Sequence, residues 1–264
     1  MFSTATYIYK SHLKDLTRPK NLVLWTLASA GLLFLCLMIL NVKSGSAPDS
    51  YTYGRLYEQM LVRYMAFCSA VVTCSVISAE IEQRTVVYML SRSIPRPIHL
   101  LMRSLASSTF VSLLGIILVF GISILVFPSN PIGANPWLLR DCVGIVLGCF
   151  AYGVIFLLIT LLLNRALMFC LLFTFGWETL VPNMPGDIYY MSILSHVRGF
   201  VAHPEPSRMA GQSVIGSMQK AFSDTYLVPP NIALMSLIAV ITGFTLFSMW
   251  HFKRNEFTAR EDAE

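Results

Sequence analysis

Apolar residues fall in six runs along the chain. Leu22–Leu40 holds no charge over 19 residues, enough to cross a hydrocarbon core of roughly 30 Å as a helix. Residues 61–79 carry only Arg63, close to one end, where its stem can reach the interface. Residues 104–127 are uncharged, and 138–163 carry Arg140 and Asp141 at the start and no charge after them. Residues 167–181 are shorter and include Glu178, and 231–250 are uncharged and end in Trp250. These runs predict an all-α, polytopic membrane protein with six transmembrane helices.

The segments between the runs have their own periodicity. Over residues 1–20, Phe2, Ala5, Tyr9, Leu13 and Leu16 recur at helical spacing, with Lys10, Ser11, Lys14 and Asp15 on other faces. This predicts an amphipathic helix lying in the membrane interface; a solvated basic leader is the alternative. Pro19 ends or bends it. Residues 80–97 read as a short amphipathic helix and then a bend. Glu80 and Arg84 form an acid-first pair four apart, and Pro95 and Pro97 disfavour continuation. The external segment 182–230 contains 188–202, too polar for a span and too apolar for a free loop. Non-helical backbone at membrane depth is allowed there if protein covers it.

Composition narrows the class further. The 264 residues are 55% hydrophobic and 12% charged, against roughly 25% charged in soluble domains. That excludes a disordered chain, a disulfide scaffold and a secreted globular enzyme. The net charge of +5 gains meaning from its placement. With six spans and both ends on one side, twelve Lys and Arg fall on that side and five on the other, which makes both termini cytoplasmic. The charge therefore points to membrane topology and not to nucleic acid. The first run follows a long polar lead without a small-residue cleavage site, so it reads as an uncleaved span.

Candidate chemistry is sparse. All six cysteines lie inside the runs; Cys142 and Cys149, seven apart, could share a helix face as packing residues or as a soft-metal site. His196 and His203, also seven apart, sit in the external segment. No P-loop, His-Glu-x-x-His, Gly-x-Ser-x-Gly or Cys-x-x-Cys pattern occurs, so no catalytic residue and no cofactor is assigned to the chain itself. Glu178, beside Trp177, is the acidic residue within an apolar run. It reads either as a structural carboxylate bonded to the re-entrant turn or as a gate or substrate contact.

The residues Glu80, Glu82, Arg84, Thr85, Tyr88, Leu90, Ser91, Arg92, Ile94 and Arg96 form a pattern that resembles the segment after the second span in ABC-2-type permeases. These are the membrane subunits of ATP-binding-cassette exporters, including the nitrous-oxide-reductase accessory and bacitracin-resistance types. Arg84 stands where Gly is commoner before Thr, and Ser93 where Pro is usual. The six-run layout, the amphipathic start and the long segment before the last run are similar too, and the resemblance implies re-entrant helices before the last span.

The resemblance implies that 80–97 is a coupling helix docked on a P-loop ATPase subunit, present in two copies and carrying ATP and Mg. It also implies a second permease copy, identical or related, an inner-membrane location, and Asn164–Arg165 as a second cytoplasmic contact. A secondary transporter or channel and an intramembrane enzyme centred on Glu178 are the other classes considered. The first would need ionisable groups at mid-membrane, and the second a further polar catalytic group.

Overall fold

The computed structural model describes residues 2–42, 49–82, 96–133, 135–163, 165–183, 187–203 and 228–254. Among these the regular structure is helical, with no strand. The helices are α1 (Phe2–Leu16), α2 (Pro19–Val42), α3 (Asp49–Leu56) and α4 (Val62–Glu82), the last two joined by a π-helical turn at Tyr57–Leu61. Then come α5 (Arg96–Val126), α6 (Leu138–Leu162) and α7 (Ala166–Leu172). A second π-helical turn, Phe173–Trp177, leads into the single turn α8 (Glu178–Leu180). Two 3₁₀ turns, Val181–Asn183 and Asp187–Met191, precede α9 (Ile193–Val201) and α10 (Pro230–Arg254). Proline opens both α2 and α10, where a missing N–H costs nothing and the fixed φ suits the first turn.

Four of these helices are long and apolar enough to cross a membrane: Pro19–Asn41, Ile98–Val126, Leu138–Leu162 and Pro230–Phe252. The other two expected runs fall in α4 and in the apolar stretch Ala166–Leu180, which is shorter than a full span.

α5 and α6 pack antiparallel at the centre, with Gly115 against Ile145 and Gly153 against Ser108. Small residues at such crossings let the backbones approach, the usual means of helix association in lipid. α4 lies against both, and Met65, Leu118, Ile122, Ile145 and Phe156 are fully enclosed. More than half of the apolar windows of α5 and α6 is buried (56% and 61%), whereas α2 and α10 bury 11% and 17%. Leu27, Phe34, Met235 and Leu246 therefore point outward. In water so much exposed hydrocarbon would be a large penalty; beside acyl chains it is the normal surface. The protein is built to be embedded in a membrane.

Candidate functional site

The central pairings orient the bundle. Met65 lies near Gly115, whereas Cys74 Sγ lies 3.4 Å from Thr160 Oγ1 and 3.3 Å from Cys170 Sγ. The C-terminus of α4, the N-terminus of α5, the C-terminus of α6 and the N-terminus of α7 therefore share one end of the bundle. α1 packs at this end too, with His12 Nε2 3.4 Å from Ser107 Oγ.

The sequence-derived contact residues divide as follows. Glu80 and Glu82 lie in the last turn of α4, and Arg96 opens α5. Arg84, Thr85, Tyr88, Leu90 and Arg92 lie outside the described residues, as does Asn164. Arg165 is exposed at the entry to α7.

From the middle of α6 to the opposite end of the bundle runs a buried polar arrangement built around Ser192–His203. Glu178 is 2% exposed, and its carboxylate turns to the N-terminus of α9. Oε2 accepts from the Ser192 hydroxyl at 2.6 Å and from Leu194 N–H at 3.1 Å, and Oε1 accepts from Ile193 N–H at 3.1 Å. The buried Tyr152 phenol lies close to it. An anion on the open amides of a helix N-terminus gains both hydrogen bonds and the helix dipole. Ser192 caps the same turn, its oxygen accepting from Ser195 N–H at 3.3 Å. Trp177 sits half-exposed beside it, Nε1 donating to the Met191 carbonyl at 3.4 Å.

A second carboxylate holds the other end of α9. Ala202 adopts a left-handed conformation (φ 49°), closing the helix with its N–H on the Arg198 carbonyl at 2.8 Å. The reversal sends His203 back toward α6, where its Nε2 lies 3.1 Å from Asp141 Oδ1 without the alignment of a hydrogen bond. Asp141 is fully buried. Its Oδ2 accepts from the Tyr53 hydroxyl at 2.6 Å, and its main-chain carbonyl accepts from the Tyr57 hydroxyl at 3.0 Å. Burial and the neighbouring carboxylate push both phenols above their ordinary range, so both stay protonated donors. The rings of Tyr53, Tyr57 and Trp137 surround the imidazole edge-on, with centroids at 5.6, 5.2 and 6.0 Å. Gly54 is required here, since a Cβ would stand 2.9 Å from His203 Cβ.

A third carboxylate, Glu58 in the first π-helical turn, pairs with Arg198 Nε at 3.2 Å. Three acids from three different elements thus converge on one short segment. All three face groups of that segment, and the arrangement works chemically as a clamp. Among the described residues no group of three or more His, Cys, Asp or Glu side chains is arranged to hold a metal. Cys149 is buried and Cys142 half-buried on α6, and all six cysteines are free.

Sequence reasoning singled out Glu178 and noted His203, but it missed Asp141, Tyr53, Tyr57, Glu58 and Arg198 as one unit. Asp141 looked like an ordinary residue at the start of a span. The available signal was Tyr53-x-x-x-Tyr57, two aromatic hydroxyls one turn apart in an otherwise unremarked connection.

The fold and this site define an α-helical membrane protein whose short connecting helix is locked against the bundle by acidic side chains. No protein-family model matches the chain, and no curated protein matches it either.

Proposed function

We propose that this chain is the permease subunit of an ATP-driven exporter of the ABC-2 type, powered by a separate ATPase chain. The observation that carries this reading is the Glu80–Arg96 pattern, which belongs to the connection between α4 and α5. The termini of α4, α5, α6 and α7 gather at that end, so one docked partner there could act on several helices at once. A short rigid element with charged and apolar faces can pass on rigid-body motion in this way.

In this reading α4 and the α7–α8 stretch complete six spans, with the α4–α5 end cytoplasmic. Glu80, Glu82, Arg84, Thr85, Tyr88, Leu90, Arg92 and Arg96 form the ATPase contact, and Asn164–Arg165 adds a second one. Two copies, or one copy and a related chain, pair around the pathway, with an ATPase on each. Nucleotide-driven closure then shifts the spans. The apolar spans favour a lipidic or amphipathic cargo over an ion. The engagement of both Glu178 oxygens by α9 supports a structural carboxylate more than a catalytic one.

Purification in mild detergent tests the reading. A P-loop ATPase is expected to copurify, and Glu80→Lys with Glu82→Lys is expected to weaken its retention. A chain that purifies alone, together with a double variant that functions normally, overturns it. Reporter fusions at Lys10, Pro97 and Gly211 should read inside, inside and outside.

A further inference from the structure

A cleft of about 280 Å³ lies between α6, the Phe173–Trp177 turn, the Asp187–His196 stretch and α10. Ser192 and Ile193, the residues gripped by Glu178, form part of its wall, and it is polarised along its length. Ile155, Phe173, Val240 and Phe244 line one part, while Ser192, His196 and Ser236 line another. α10 starts near the clamped end, where Gly199 touches the Val228 carbonyl. From Ser236 to Phe244 the helix then runs about 12 Å toward the α4–α5 end of the bundle. Gly148 meets Val197 and Gly144 meets Val201, so His196 and Ser192 lie level with the middle of α6, while Phe173, edge-on against Phe156, and Phe244 lie beyond them toward the α4–α5 end. A polar group held at that depth is favoured neutral over charged. Trp177, Tyr190 and Met191 also line the cleft while remaining 37%, 42% and 64% exposed, so the mouth opens onto the lipid-facing surface.

The polar part is specific. His196 is 9% exposed, and its Nδ1 lies 2.8 Å from the Ser192 carbonyl, which can only accept. Nδ1 therefore carries the proton, and in the neutral ring Nε2 presents a lone pair. Nε2 takes no hydrogen bond from any described residue. The Ser236 hydroxyl donates to the Ala233 carbonyl at 2.9 Å, leaving its oxygen able to accept. Among the described residues neither Lys, Arg, Asp nor Glu lines the cleft. It thus offers acceptors without a cation to meet an anion.

From this geometry we propose that the cleft binds a long-chain lipid with a neutral hydroxyl headgroup, the hydroxyl donating to His196 Nε2 and the chain lying against Phe173, Val240 and Phe244. This binding requires only that the protein be membrane-embedded; it stands whether or not an ATPase partner exists.

The test uses the full-length protein in phosphatidylcholine vesicles doped with a long-chain alcohol carrying a mid-chain diazirine and a terminal alkyne. After irradiation, adducts are expected in the peptides holding Phe173–Trp177 and Leu237–Phe244. Val240→Trp fills the cleft and should lower that labelling about tenfold, a loss of about 1.4 kcal/mol in occupancy. His196→Phe keeps the bulk and removes the acceptor, which should lower it about fivefold, as expected for one neutral hydrogen bond. The fatty-acid analogue of the probe should label the cleft less than the alcohol near neutral pH. If Val240→Trp does not give a monodisperse protein, Ser236→Phe fills the same face one turn away.

Labelling spread over the outward faces of α2 and α10 and indifferent to Val240→Trp would show annular lipid only, and would overturn the proposal. So would an absence of adducts at Phe173–Trp177, the result expected if residues 204–227 of the chain itself fill the cleft. Equal labelling by the alcohol and the acid would overturn the hydroxyl assignment.

Discussion

Two short helices outside the apolar spans, α1 and α9, are held to the bundle by different physics. α1 has 15 residues and docks on α5 along one stripe. His12 and Leu16 are buried, Tyr9 and Leu13 are half-buried, and Lys10, Lys14 and Asp15 face outward. α9 has nine residues and is pinned at both ends and along its length by Glu178, Asp141 and Glu58. A stripe of apolar side chains tolerates sliding and lipid exchange. A buried carboxylate such as Glu178, aimed at individual donors, favours one register, because every alternative leaves it without those partners. The clamped end of the molecule is thus the rigid one, and the α1 end is the one held by general hydrophobic contact.

The comparison breaks first at Asp141. Asp141→Ala removes the fully buried partner of Tyr53 and His203, and the loss of stability should be about 3–5 kcal/mol, the scale for breaking a buried pair. Thermal unfolding in detergent and proteolysis around Val201 would both report it. A variant that melts with the wild type and keeps α9 protected would show that the clamp does not hold the segment.

His12 sharpens the other side of the comparison through pH. Burial first, then the Arg103 guanidinium and His99, lower its pKa from 6.5 to about 4, with Asp15 opposing. The folded protein therefore binds the proton less readily than the unfolded chain. The stabilisation from a neutral His12 is complete above pH 6.5 and is lost as pH falls from there toward 4. One pH unit below the unfolded pKa, α1 docking should be weaker by about 1 kcal/mol. His12→Phe should flatten this dependence. A cysteine placed on the docked face of α1 would read it as faster alkylation in acid. Identical pH profiles for wild type and variant would remove His12 as the cause.

The smallest effect is expected at Glu58–Arg198, whose side chains are 26% and 18% exposed. Their coupling in a double-mutant cycle of Glu58→Gln and Arg198→Met should be about 1 kcal/mol or less and should shrink with salt. A coupling as large as the Asp141 effect would make the partly exposed pair the principal anchor.

Much of the architecture could be read directly from the amino acids. Uninterrupted apolar runs flanked by Lys and Arg read as membrane helices without reference to any partner segment, because the solvent requirement of each helix is local. The spacing of Phe2, Ala5, Tyr9, Leu13 and Leu16 gave α1 its apolar side in the same way. His12 escaped that reading because a histidine among apolar positions has no periodic signature. The helix limits also run beyond the apolar runs: α5 begins at Arg96, not at Ser104, since Pro97 is tolerated in a first turn and Arg103 can be carried inside a helix. Glu178 was visible as a charge in an apolar run, but its partner was not. Ser192 lies fourteen residues away, beyond two 3₁₀ turns.

The sequence by itself determined the solvent and the helical class, because a chain that is 55% hydrophobic and 12% charged must bury its backbone polar groups within its own helices in lipid. The tertiary structure alone decided that Tyr53, 88 residues from Asp141, donates to it, that His203 returns to the same carboxylate, and that His196 and Ser236 line one cleft. These pairings depend on which helix faces meet and at what depth, and no local pattern of residues encodes that depth.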